Sequence, residues 1–94
     1  MHNGLVYLRT PRDIGALIRE HRRRQGLTQQ ELAERVGVRR LWVSQTERGK
    51  ATAELGLVLR TLQGLGVELS THTDSAALSL DVPDIDAVVE HAKP

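Results

Sequence analysis

The stretch "RRLWVSQTER", Arg39 to Arg48, carries polar and charged side chains where a buried helix would carry Leu. At helical spacing Val43, Thr46 and Glu47 turn to one side, which leaves Arg40, Leu41, Ser44 and Gln45 on the other. Those types suit the edges of base pairs. Arg can take guanine O6 and N7 bidentately, Gln suits adenine N6 and N7, and Leu packs on a thymine methyl. For Leu41 ordinary partial burial is the competing reading.

Other chemistries find little support. His2, His21, His72 and His91 are scattered, without ligand spacing or carboxylate partners. No Ser–His–Asp grouping, phosphate loop or carboxylate pair stands out, and with no Cys there is no disulfide framework or thiolate site. The chain reads as a binder rather than an enzyme, with no metal and no cofactor. Its net charge of +1 conceals an asymmetry. Up to Arg60 there are twelve basic residues against six acids, roughly +6; from Thr61 onward Lys93 alone opposes six acids, roughly −5. A basic body suggests nucleic acid, and an acidic tail suggests a different partner.

The elements that must position these residues follow from local signals. Ninety-four residues allow one small domain. With no Phe, one Trp and one Tyr, its core must be Leu, Val and Ile, a modest core that a second subunit would help. Residues 1–10 form an N-terminal arm, in which "NGLVYL" is either a short strand or extended. Residues 11–66 form the globular domain. Helix 1 opens with Thr10 as N-cap, Pro11 at the first position and Asp13 three residues after the cap; Ile14, Leu17, Ile18 and His21 make its inner stripe. Thr28 and Glu31 open helix 2, Leu32, Ala33 and Val36 line its inner face, and Gly37 is placed to leave it with positive φ. Helix 3 spans about Arg39 to Arg48. Helix 4 begins at Thr52 or Ala53 and turns Leu55, Val58, Leu59, Leu62 and Leu65 inward.

"VELSTHT", residues 67–73, alternates like a strand. A single strand needs a partner, either the N-terminal segment or the same strand of a second subunit. In a dimer Val67, Leu69 and Thr71 would form the paired face. Residues 74–94 are acidic and expected to be flexible, although Ile85, Val88, Val89 and Ala92 have the spacing of a short amphipathic helix formed on binding. No apolar run spans a bilayer and no signal peptide is evident, so the expectation is a soluble, cytoplasmic protein.

Helix 2, a tight Gly turn and helix 3 make a helix-turn-helix of about twenty residues. The pattern "R…GLTQQELAERVGV…VSQTERGK" resembles the Cro/CI-type (XRE) DNA-binding family over about Asp13 to Gly66. The resemblance implies an all-α, lambda-repressor-like domain of four to five helices, with a short C-terminal strand pairing across a dimer. The order "LRTPRDIGALIREHRRRQGLTQ", then "TERGKATAELGLVLRTLQGLGVEL", then a strand, is similar to HipB-like antitoxins. Those proteins bind their own operators and hold a HipA-type kinase toxin inactive.

Roles carried over by that resemblance attach to particular residues. Arg22 and Glu47 match a buried salt bridge beneath the recognition helix. Gln29 matches a Gln that contacts a phosphate and braces that helix, with the helix N-terminus adding a favourable dipole. Arg40, Leu41, Ser44 and Gln45 match the base-reading positions. Arg39 departs from the Ser often found there, losing an N-cap of about 1 kcal/mol but adding a cation near the phosphates; HipB-like proteins also carry a basic residue there. Arg48 and Lys50 fall where the family touches phosphates. Trp42 either lays its indole N–H on the backbone, the reading preferred, or fills the edge of the core. Arg23 and Arg24 read as a solvated face.

The sequence therefore leads to a homodimeric, DNA-binding transcriptional repressor on a palindromic operator, the antitoxin of a HipBA-like toxin–antitoxin operon. A stand-alone XRE-type regulator, or a protein-interaction module with DNA binding secondary, are its rivals.

Overall fold

The computed structural model describes residues 6–73 of the chain. The first half of the arm and the acidic tail with its Ile85–Ala92 segment lie outside the described residues. Four helices follow in order: α1 (Pro11–Arg24), α2 (Gln29–Val36), α3 (Arg40–Glu47) and α4 (Leu55–Gly64). Among the described residues there is no strand, and no helix is long and apolar enough to cross a membrane.

Two of the helices begin as their sequences dictate. Thr10 and Asp13 cap α1 reciprocally, and Thr28 and Glu31 do the same for α2, so orphan amides of both first turns are satisfied. The Asp13 carboxylate accepts the Arg9 and Thr10 backbone N–H groups at 2.8 and 3.0 Å. The Arg9 bond above all holds its pKa below the ordinary 3.8; desolvation opposes it, and the two Thr10 bonds and the Arg9 charge add to the lowering. The folded pKa is thus the lower one. This cap's contribution is present above 3.8 and is lost as pH falls through the folded pKa. Gly37 closes α2 at φ 77°, where a side chain would be strained. Neither α3 nor α4 has a side-chain N-cap bond. Helix α4 starts at Leu55, later than Thr52 or Ala53, because the chain is still turning there: the Ala53 N–H donates to the Lys50 carbonyl at 3.3 Å.

The core gathers Leu17 and Ile18 of α1, Leu32, Ala33 and Val36 of α2, Val43 of α3, and Val58 and Leu62 of α4 with Leu65 at its end. Helix α3 lies against α1 and α2, and α4 against α2. Gly15 is what lets α1 and α3 meet. A Cβ there would fall on the backbone carbonyl oxygens of Thr46 and Glu47, atoms that cannot swing aside. Gly15→Ala is therefore expected to destabilise the domain by about 1–3 kcal/mol despite alanine's better helix propensity, read as a lower urea midpoint at unchanged slope.

Two expectations change on the inner faces. Leu55 and Leu59 do not turn inward: they are 69% and 39% exposed, while Thr61 takes the inner position between Val58 and Leu62. The buried Thr61 satisfies its hydroxyl on the Leu57 carbonyl at 2.8 Å. The apolar stripe of α4 is wider than the other described residues cover. His21 and Ile14 are half-buried rather than core. Among the described residues, 67–73 form no ladder: Val67 packs on the core while Leu69 and Thr71 are exposed.

Candidate nucleic-acid interface

Helix α3 sits on a bridge built from three elements. Arg22 of α1 donates from Nε to Glu47 Oε2 at 2.7 Å and from a terminal nitrogen to Oε1 at 3.1 Å. The side chains of Arg22 and Glu47 are only 11% and 3% exposed. The other terminal nitrogen of Arg22 donates to the Leu27 carbonyl at 2.7 Å, at the mouth of α2. Gln29 adds its amide, Nε2 to Glu47 Oε1 at 3.1 Å. One buried carboxylate thus gathers three N–H donors and ties α1, α2 and the end of α3 into a rigid unit. A charge-assisted, bidentate pair of this kind is directional as well as strong.

With Val43, Thr46 and Glu47 buried and Trp42 packed on the edge of the core, the other α3 residues face outward. Arg40 is exposed, Leu41 is 60% exposed, and Ser44 and Gln45 are half-buried. These four share one surface. Leu41 is a large apolar side chain left in the open. Arg39, Arg48 and Lys50 are exposed around the same surface. Lys50 donates from Nζ to Gln45 Oε1 at 3.2 Å. That oxygen keeps a second lone pair and the amide keeps its N–H donors, so Gln45 is oriented without being consumed. Trp42 is half-buried against the core, beside Val38, Leu57 and Arg60. Its ring therefore takes the core-edge position rather than standing free of it.

Several positioning residues escaped the sequence reading. Gln25 donates to the Leu65 carbonyl at 2.7 Å and accepts from Arg35 at 3.1 Å; Arg35 also donates to the Gly64 carbonyl at 3.3 Å. This clasp joins the ends of α1 and α4 through α2. Gly64 approaches Val36 so closely that a Cβ there would meet its Cγ1 at 2.6 Å. An isolated Gly within a helical pattern, as at Gly15 and Gly64, was the available signal. For Gln25 and Arg35 there was none. Among the described residues the buried Thr46 hydroxyl has no hydrogen-bond partner.

Comparison with known proteins agrees with this geometry. The chain is 47% identical over 62 residues to the HTH-type transcriptional regulator y4mF of Sinorhizobium fredii, covering 66% of this chain and 82% of that one. It is 52% identical over 52 residues to an HTH-type transcriptional regulator of Methanothermobacter thermautotrophicus, covering 55% and 75% respectively. Among solved structures it superposes on HipB in a "HipB-O4 20mer complex" with a TM-score of 0.67 and 22% identity, over 73% of this chain and 97% of that one. A "HipA-HipB-O2-O3 complex" gives the same figures. At that identity the likeness is one of fold. The family model described as "Helix-turn-helix domain" matches residues 13–74, about two thirds of the sequence, and the chain belongs to that family.

Proposed function

We propose that the protein is a sequence-specific, DNA-binding transcriptional repressor that acts as a homodimer on a palindromic operator. One observation carries the reading: a helix whose inner face is locked by a buried bridge presents Arg40, Leu41, Ser44 and Gln45 as one outward surface. Those side chains read base edges in the major groove. Gln29, Arg39, Arg48 and Lys50, with the outer rim of Trp42, hold the flanking phosphates. Both relatives carry the name of transcriptional regulators, which supports the same role here.

The dimer rests on the flank of α4. Leu55 and Leu59 of α4 and Leu69 beyond it are large apolar residues left exposed, Leu59 and Leu69 lining one groove, and a second copy would cover them. Pairing of Val67, Leu69 and Thr71 with the same segment of a partner would supply a ladder not formed among the described residues. Two recognition helices would then stand about 34 Å apart, one turn of the duplex. A finer reading makes the protein the antitoxin of a HipBA-like operon that also holds a kinase-like toxin. It rests on the sequence resemblance and on a fold shared with HipB, whose complex with HipA and operator DNA is among the similar structures. A stand-alone regulator without a toxin is the second reading, and the relatives' names fit it equally.

The test is a gel shift on the DNA upstream of the gene against a scrambled duplex, across a salt series. Binding at least a thousandfold tighter to the upstream DNA is expected of a specific regulator. Equal, salt-sensitive binding to both would sink the base-reading role. Sedimentation at micromolar concentration should give a dimer.

A further inference from the structure

A second basic surface lies on α1, apart from the reading helix. Arg12, Ala16, Arg19, Glu20 and Arg23 line a groove whose far wall is Glu47 and Arg48 at the end of α3. Arg24 also borders it but is spent on Glu20 at 2.7 Å, and Glu47 is spent on Arg22. Among the described residues Arg12, Arg19, Arg23 and Arg48 have no acidic partner. All four are exposed, and Ala16 leaves the floor between them low.

The groove is continuous with the site already described. Glu47 is common to both: its buried carboxylate accepts from Gln29 at the N-terminus of α2, while the residue forms part of the groove's wall beside the exposed Arg48. A duplex backbone that passes the start of α2 beside α3 is led on into this groove. Arg19 and Arg23 are one helical turn apart, about 6 Å along the axis, and Arg12 to Arg23 spans about 16 Å. That is a line of cations suited to a line of phosphates. It offers no hydrogen-bonding pattern that distinguishes bases, so it contributes affinity and register rather than sequence choice.

We infer that the α1 groove, through Arg12, Arg19 and Arg23, holds the phosphodiester backbone of duplex DNA flanking the base pairs that α3 reads. This rests on the DNA-binding reading above. It assigns a contact role to Arg23 where the sequence alone suggested a solvated face.

The experiment compares the full-length protein with its R19Q/R23Q variant on two labelled duplexes from the upstream DNA. One duplex is trimmed to the base pairs whose substitution alters binding; the other extends a helical turn beyond them at each end. Loss of two phosphate contacts should flatten the log–log salt slope on the long duplex by about 2 per bound chain. Between 50 and 200 mM salt the wild type would then lose about tenfold more affinity than the variant for each chain bound. On the trimmed duplex the two proteins should have the same slope, and the preference for upstream over scrambled sequence should be unchanged on the long one. Thermal melting should be unaltered, since both side chains are exposed. Identical slopes on the long duplex would overturn the inference, and so would an equal drop on both duplexes, which a mere loss of net charge would give. If the wild type shows no sequence preference, the base-reading role falls and no trimmed duplex can be defined. On the long duplex a flatter slope for the variant then still supports the groove as a backbone contact, and equal slopes overturn it.

Discussion

Arg22→Ala is expected to cost the domain about 3–5 kcal/mol, the largest single effect of any substitution considered. The variant leaves the Glu47 carboxylate 3% exposed in the present packing, with only the Gln29 amide as donor. It also removes the donor to the Leu27 carbonyl that fixes the entry to α2. A domain of this size has a total stability on the order of 5–10 kcal/mol, so such a loss brings unfolding close to ambient temperature. The measurement is urea unfolding followed by helical circular dichroism. Its diagnostic companion is R22M/E47L, which removes both charges together. If the cost of the single variant is that of a stranded charge, the double variant should recover most of the stability. A double variant as unstable as the single one would mean that the bridge's geometry, rather than its uncompensated charge, matters.

Arg40→Ala is expected to weaken binding to the upstream DNA by about 1–3 kcal/mol, about 5- to 150-fold, with little change in stability. Arg40 is exposed and makes no hydrogen bond among the described residues, so the fold does not depend on it. The loss should fall on the specific duplex far more than on a scrambled one. Gln45→Ala should behave likewise at a different base pair. Arg48→Ala offers the contrast: it should weaken both duplexes alike and reduce the salt slope by about 1. If Arg40→Ala reduced both duplexes by one factor, Arg40 would be a phosphate contact and the assignment of its role would fail. The two predictions separate cleanly. Arg22 acts on whether α3 is held, and Arg40 on what α3 says once held.

The helix-turn-helix was legible because its signals are local. Thr10 with Asp13, and Thr28 with Glu31, act over three residues, and each forms the reciprocal cap its spacing announces. Gly37 reports its own backbone conformation. The inner set of Val43, Thr46 and Glu47 follows from the turn of a helix alone, and with it the outward set of α3. Residue chemistry then named base edges as the partner class. The pairing of Arg22 with Glu47, 25 positions apart, was not local; it came from resemblance to a family rather than from spacing.

What the tertiary structure alone decided is where surfaces meet. Leu55 and Leu59 have the same side-chain chemistry as Leu62, yet they stand off the core while Leu62 is 1% exposed. Periodicity places apolar residues on a face but does not say how much of that face a neighbouring helix reaches. Gly15 shows the same limit, since its need for no Cβ is set by carbonyls of Thr46 and Glu47 more than thirty residues away. The clasp of Gln25 with Leu65, 40 positions apart, joins groups that no pattern relates. The amino-acid sequence by itself determined the helices, their caps and the chemistry of the outward face, because those depend on neighbours within a turn or two. Only packing decided which side chains hold α3 in place and which apolar flank stays open, because both depend on contacts made after distant segments have met.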